Sequence, residues 1–240
     1  EPEELVKLMN VYLTNISDII IKYEGTIDKY VGDAVMAFFG APLDQKDHAL
    51  CACYAAIETQ EYMQILRKSF KAKGWSEISL RIGINTGMVV VGNMGGKDRL
   101  NYTVIGDDVN LASRLEGANK MYSTNIMIGE NTYELVKDSV VLRELDVIRV
   151  KGKSRPVKVY ELIARKGKTD DETLELLKNF ASGLEEYRKQ EWNKATECFM
   201  AAINIKPEDY PTRLYLNRCN AFKVTPPPAE WDGVYEMESK

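Results

Sequence analysis

The stretch Gly25–Pro42, GTIDKYVGDAVMAFFGAP, predicts a tight β-hairpin. Two runs rich in β-forming residues, Thr26–Val31 and Ala34–Phe39, flank the dipeptide Gly32-Asp33. Glycine adopts the backbone angles that a tight turn requires, and apolar runs on both sides of such a dipeptide are a strong hairpin signal. The sequence therefore places one carboxylate, Asp33, at the tip of a hairpin. Gly-Asp alone is ordinary turn chemistry, so any further role of Asp33 depends on the rest of the chain.

The composition is that of an ordinary globular protein. The chain has 240 residues, of which 45% are hydrophobic and 28% charged. This length predicts one or two domains. The net charge of −4 and the lack of a dense Lys/Arg block argue against a nucleic-acid partner. No apolar run approaches the ~18 residues of a membrane span.

The cysteines and the histidine argue against several kinds of site. The chain has 4 cysteines without a CxxC pair, which supports neither a zinc site nor a disulfide framework. We expect buried free thiols in a reducing cytosol, and the sequence leaves open whether the parent protein is anchored to a membrane. A Ser-His-Asp triad or a multi-histidine metal site would have to use His48, the single histidine, and such sites need several partners in mutual geometry.

Strands and helices alternate through the first two thirds of the chain. We predict helices over 3–23, 44–73, 107–122 and 131–137, and strands over 78–86, 88–93, 102–105, 126–128, 140–150 and 157–163. Gly87 is predicted to be the turn of a second hairpin, and Gly92, Gly95 and Gly96 to form a loop. Residues 106–108 are predicted to cap the helix that follows them. This order predicts an α/β sandwich that ends near residue 165.

The last third of the chain is predicted to be helical. After a linker at 167–171, helices are expected over 174–190, 191–205 and 210–222. The first two match the spacing of a tetratricopeptide repeat at Gly183, Trp192, Ala195, Phe199, Ala202 and Pro207. We expect the third helix to cover this pair and the Pro-rich segment after it to return through Trp231. The predicted domains are therefore 1–165 and 166–240, and the tail is a candidate site for a protein partner.

The hairpin and two later motifs together resemble the catalytic domain of class III nucleotide cyclases. The later motifs are Tyr102–Gly106, YTVIG, and Val109–Arg114, VNLASR. The resemblance covers about residues 3–164 and implies a ferredoxin-like α/β sandwich. The family's first strand, which holds a metal-binding Asp in a PheAspIle-type motif, is expected ahead of residue 1. The sequence is therefore expected to be a piece of a longer protein.

The resemblance implies roles for residues of the hairpin. Asp33 matches the family's ligand of two divalent ions, Mg²⁺ or Mn²⁺, whose second carboxylate would lie on the strand ahead of residue 1. Without that carboxylate, Asp33 is expected to bind metal poorly. Lys29 matches the position that reads the base, where adenylyl cyclases have Lys and guanylyl cyclases have Glu. Its partner position is Thr103, and a hydroxyl can either accept from the adenine amino group or donate a hydrogen bond.

The resemblance also implies groups that bind the ribose and the phosphates. Asn110 and Arg114 are four residues apart and therefore share one face of the predicted helix. In the family, the Asn orients the ribose and the Arg stabilises charge on the reacting α-phosphate. Lys151 matches the lysine that holds the terminal phosphates, although the neighbouring Lys153 is an alternative.

The function that this resemblance implies is that of an adenylyl cyclase in signalling, which converts ATP to cyclic AMP and pyrophosphate. The family builds its sites between two copies arranged head to tail, with Asp33 from one copy and the other named residues from its partner. One alternative is a guanylyl cyclase, which Lys29 disfavours. The other is a non-catalytic dimerisation or protein-interaction module, which a parent protein without the first metal-binding Asp would favour.

Overall fold

The computed structural model describes residues 2–72, 74, 78–149, 156–228 and 230–236. The helices within these ranges are α1 Pro2–Lys22, α2 His48–Ala72, α3 Asp107–Tyr122, α4 Glu130–Val136, α5 Asp171–Arg188, α6 Trp192–Ile205 and α7 Tyr210–Val224. The strands are β1 Thr26–Val31, β2 Ala34–Phe38, β3 Ile82–Ile84, β4 Val90–Gly96, β5 Arg99–Ile105, β6 Ile126–Gly129, β7 Val140–Arg149, β8 Val157–Arg165 and β9 Tyr235–Glu236.

The predicted hairpin is confirmed. β1 and β2 pair antiparallel, and Val31 lies opposite Ala34 across the turn. Gly32 has a φ of 64°, a conformation that glycine adopts without the steric cost of a side chain. Apolar residues of both strands pack on α1 and α2, around Ile16 and Met63. The hairpin is therefore held by a helical layer, which fixes the direction of its turn.

The main sheet lies between two helical layers, as predicted for an α/β sandwich. Its strand order is β3-β6-β8-β7-β9, with parallel pairs at both ends and antiparallel pairs between them. Successive side chains of a strand point to opposite faces. Ile126 and Ile128 of β6 accordingly pack with α2 and α4, whereas Met127 packs with Leu111 and Leu115 of α3.

The predicted second hairpin around Gly87 is wrong. β3 pairs with β6, and β4 pairs with β5, so Gly92, Gly95 and Gly96 lie in a strand rather than in a loop. Gly87 instead lies against α3, where an added Cβ would be 2.0 Å from Oδ2 of Asp108. Gly87 is therefore explained by its close approach to Asp108 and not by a turn. The hairpin prediction failed because a strand-forming pattern does not identify which strand is the partner.

The helices of the tail pack as the spacing predicts. Ala195, Phe199 and Ala202 are fully buried, and an added Cβ at Gly183 would lie 2.6 Å from the Phe199 ring. The chain then returns through Trp231, whose ring packs against those of Tyr187, Trp192 and Phe222. The predicted packing and the return of the chain are thus confirmed, while the tetratricopeptide identity stays a prediction.

Buried polar contacts join the tail to β7. Arg143 of β7 binds Asp209, which precedes α7, at 2.7 Å, and Arg218 of α7 binds Asp146 at the same distance. The Tyr215 hydroxyl also donates to the main-chain oxygen of Leu145. Removing one partner of a buried ion pair typically costs about 3–5 kcal/mol, because the other charge stays buried. These contacts therefore fix α7 on the sheet.

The cysteines are free thiols, as predicted, but only half of them are buried. Cys53 and Cys219 are buried, whereas Cys51 and Cys198 are half-buried. Burial raises the pKa of Cys53 to about 12 and that of Cys219 to about 11. Both thiols are therefore protonated at neutral pH, which makes them poor nucleophiles.

None of the helices in the described part of the chain is both long enough and apolar enough to cross a membrane.

Candidate functional site

The structure brings Lys29 and Thr103 together although they lie far apart in sequence. Lys29 is on β1, Thr103 is on β5, and Nζ of Lys29 donates a hydrogen bond of 3.1 Å to Oγ1 of Thr103. The Lys29 side chain is 44% exposed and the Thr103 residue only 6%. The pair therefore combines a buried hydroxyl with a lysine that reaches solvent, and it offers hydrogen bonds to a ligand at the surface.

Asp28 joins this pair and was not recognised in the sequence. Its Oδ2 accepts a 2.6 Å hydrogen bond from the Thr103 hydroxyl, and its Oδ1 lies 3.3 Å from Nζ of Lys29. The side chain is fully buried. An acidic residue next to Lys29 in a strand was the available signal, but regular alternation would have placed the two side chains on opposite faces.

Asp33 lies at the exposed tip of the hairpin, as predicted. Residues 32–33 form the turn between the paired residues Val31 and Ala34. Burial and, to a smaller extent, the negative charge of Asp33 raise the pKa of the Tyr12 phenol on α1. The hairpin is also fixed to α1 by a 2.8 Å hydrogen bond between Tyr30 and Ser17.

Asn110 and Arg114 lie on α3, which begins directly after β5. The helix starts where it was predicted to start, but its N-cap is Gly106 and no side chain makes a capping hydrogen bond. Leu111 and Leu115 of this helix face the core. Asn110 is exposed and Arg114 half-buried, and neither side chain has a hydrogen bond or ion pair within the described ranges. Both side chains are therefore available to a ligand.

The remaining predicted phosphate-binding residue, Lys151, lies outside the described residues, as does its alternative Lys153.

Among the described residues, one pair of predicted site residues is in direct contact. Lys29 and Thr103 are in contact, and Asn110 and Arg114 follow β5 on the next helix. Asp33 is four residues beyond Lys29, on the order of 10 Å along an extended strand and its turn. A site that uses both Asp33 and Lys29 from a single copy would have to span that distance.

Asp33 supplies one hard oxygen ligand of the kind that Mg²⁺ and Mn²⁺ prefer. Among the described residues, however, no group of three or more His, Cys, Asp or Glu side chains could hold a metal ion. A single exposed carboxylate does not make a two-metal site. The described residues therefore fit a contribution to such a site and not the whole of it.

Comparisons with known proteins match the first two thirds of the chain to one family. The family described as "Adenylate and Guanylate cyclase catalytic domain" matches residues 1–164. Adenylate cyclase 1 of Rhizobium meliloti (strain 1021) is 38% identical over 162 residues, which cover 68% of this chain and 24% of that protein. The chain therefore spans about a quarter of the length of this curated relative.

Two solved structures have the same fold. The crystal structure of the adenylyl cyclase CyaB from P. aeruginosa matches with a TM-score of 0.65 and 42% identity, over 71% of this chain and 87% of that chain. The crystal structure of the guanylyl cyclase Cya2 matches with a TM-score of 0.64 and 35% identity, over 71% of this chain and 85% of that chain. The α/β sandwich is thus shared with an adenylyl cyclase and with a guanylyl cyclase.

Proposed function

Because the chain belongs to the adenylate and guanylate cyclase catalytic domain family, we propose that it forms the active site of an adenylyl cyclase, which converts ATP to cyclic AMP and pyrophosphate. The observation that supports ATP as the substrate is the 3.1 Å contact between Lys29 and Thr103. It places a cationic donor beside a hydroxyl oxygen where β1 lies next to β5.

The choice of base follows from hydrogen-bond chemistry. Adenine presents an acceptor, N1, beside a donor, its 6-amino group, whereas guanine presents a donor, N1–H, beside an acceptor, O6. Lysine has donors only, so Lys29 matches N1 of adenine and opposes N1–H of guanine. A polar group left without a partner in a buried site costs about 1–3 kcal/mol. Lys29 therefore favours ATP over GTP.

Lys29→Glu should lower the preference for ATP over GTP, measured as the ratio of the kcat/KM values, by roughly ten- to a hundredfold. The reason is that a carboxylate would then face the N1 acceptor of adenine. Complete conversion to a guanylyl cyclase is not expected, because Thr103 is unchanged. Lys178→Glu, the same charge change at an exposed position of α5, is the matched control and should keep the ratio. An unchanged ratio in Lys29→Glu would show that Lys29 does not contact the base.

The proposed reaction is attack of the ribose 3′-oxygen on the α-phosphorus of ATP. The 3′-hydroxyl loses its proton to water, a new P–O bond closes the cyclic ester, the bond from the α-phosphorus to the bridging oxygen breaks, and pyrophosphate leaves. Asn110 would orient the ribose, and Arg114 would donate hydrogen bonds to the α-phosphate oxygens as negative charge develops on them. Lys151 is proposed to hold the terminal phosphates.

Divalent ions, Mg²⁺ or Mn²⁺, are proposed as cofactors, with Asp33 as one ligand and at least one further carboxylate from outside the described residues. When bound, such ions lower the pKa of an attacking oxygen and neutralise the leaving phosphates. Asp33 contributes a charge held at a fixed turn, while α1 and α2 support the hairpin behind it.

We propose that two copies arranged head to tail share each site, with Asp33 from one copy and Lys29, Thr103, Asn110, Arg114 and Lys151 from the other. The position of Asp33 supports this arrangement, because the exposed tip of the hairpin is open to a second copy. A symmetric homodimer would contain two such sites, because each copy contributes both sets of residues.

The proposed catalytic domain is 1–165 and the proposed helical tail is 166–240. The tail is proposed to supply stability or a surface for a protein partner.

Since the fold is shared with the guanylyl cyclase Cya2, the substrate is tested by assaying the full-length gene product with ATP and with GTP. Cyclic AMP as the main product supports the proposal, and cyclic GMP as the main product contradicts it. A protein that forms neither product would favour the non-catalytic module.

A further inference from the structure

A β-bulge places Asp28 and Lys29 against the same threonine. The register of β1 on β2 shifts between Ile27 and Lys29, so Asp28 is the extra residue. In a regular strand, consecutive side chains point to opposite faces, and only one of the two could contact Thr103. Bulges of this kind redirect a side chain and are frequent next to active sites.

The bulge gives Asp28 a buried position with specific partners. Its side chain has no solvent exposure. Oδ2 accepts the 2.6 Å hydrogen bond from the Thr103 hydroxyl and a longer one, 3.4 Å, from the main-chain N–H of Val104. Oδ1 makes the 3.3 Å ion pair with Lys29. A buried carboxylate is costly unless it is paired, so this position depends on those contacts.

These contacts determine which hydrogen-bonding role Thr103 can have. A hydroxyl has one hydrogen to donate and two lone pairs that accept, whereas a carboxylate can only accept. The Thr103 hydrogen therefore points to Asp28. One lone pair accepts from Lys29, and the other is left for a ligand. Toward the base, Thr103 is then an acceptor and cannot donate.

We propose that Asp28 is a positioning residue for base recognition, which orients the Thr103 hydroxyl so that it accepts from the adenine amino group and opposes O6 of guanine. This inference rests on the proposed function. A hydroxyl alone could either donate a hydrogen bond to the base or accept one from it. The contact with Asp28 leaves Thr103 only the acceptor role, which an aspartate at this position would also have.

Asp28→Asn tests this proposal. The substitution keeps the size of the side chain but replaces a carboxylate, which can only accept hydrogen bonds, with an amide, which can also donate them. The amide group of the new side chain can donate to Thr103, which leaves the hydroxyl hydrogen free to turn toward guanine O6. The ratio of kcat/KM for ATP to that for GTP should fall by about tenfold or more, chiefly through improved use of GTP. Thr103→Asp in the Asp28→Asn background should restore the ratio, because a fixed acceptor returns.

Asp146→Asn is the matched control, because Asp146 is also a buried, ion-paired carboxylate but lies on β7 against the tail. It should lower thermal stability and leave the ratio unchanged. The ratio separates a positioning role from a structural one, since a loss of folded protein lowers turnover of both nucleotides equally.

The outcomes are distinct. A wild-type protein that cyclises neither nucleotide contradicts the proposed function and this inference with it. A wild-type protein that prefers ATP, together with an unchanged ratio in folded Asp28→Asn, overturns this inference alone. If circular dichroism shows Asp28→Asn to be unfolded, Thr103→Asn decides. Its amide group should donate to Asp28 and its oxygen should face the base, so the preference for ATP should persist. A shift of Thr103→Asn toward GTP overturns the inference.

Discussion

Replacing Asp33 with asparagine should lower cyclic AMP formation by the full-length gene product roughly a thousandfold. Asparagine preserves the shape of the turn but removes the negative charge that we propose as a ligand of the divalent ions. A bound ion contributes several kcal/mol of charge stabilisation, and about 1.4 kcal/mol corresponds to a tenfold change in rate. The measurement is cyclic AMP formation over a series of Mg²⁺ and Mn²⁺ concentrations.

The matched control is Asp44→Asn, because Asp44 is an exposed carboxylate in the segment after β2. It should keep wild-type activity and the wild-type dependence on metal. If Asp33→Asn is folded and retains more than about a tenth of the wild-type rate at every metal concentration, Asp33 is not a metal ligand of the reaction.

Arg114→Ala should lower kcat by about 10²–10³-fold with a smaller change in KM. The proposed role of Arg114 is to stabilise charge that develops on the α-phosphate, so its loss should affect the transition state more than the bound substrate. The half-buried side chain has no partner among the described residues, and its removal should therefore have little effect on folding. Steady-state kinetics with ATP and a thermal unfolding curve measure both effects.

Lys120→Ala is the control for this helix, since Lys120 is an exposed cation on α3 near its end. Its kcat should equal that of the wild type. An Arg114→Ala protein that loses affinity for ATP but keeps its kcat would show that Arg114 binds the ground state only, which would contradict the proposed role.

Local signals were sufficient to predict most elements of the fold. The turn at Gly32 and the apolar periodicity of α1 identify the first helix and hairpin, because these features depend on residues close in sequence. Strand partners depend on distant residues. The short β3 pairs with β6, more than forty residues later, and nothing in its sequence distinguishes that partner from the adjacent strand. The ion pair of Arg143 with Asp209 is a further long-range contact that only the folded chain reveals.

The sequence predicted only part of the candidate site, because the rest also depends on how strands pair. The family resemblance identified Lys29 and Thr103, and the structure places them in contact. It did not identify Asp28, because strand alternation predicts that Asp28 points away from Lys29. The bulge that brings both side chains to Thr103 is a property of how β1 pairs with β2. Such an irregularity changes which residues meet without changing which residues form the strand.

The central claim is that each site is shared between two copies, and mixing two inactive variants tests it most directly. Asp33→Asn and Arg114→Ala should each be nearly inactive alone. In a heterodimer, one site gathers both defects and the other has none, so cyclic AMP formation should recover to about half of the wild-type rate per heterodimer. Heterodimers that form, as shown by co-purification of two affinity tags, and yet produce no more cyclic AMP than either variant alone would contradict the shared site.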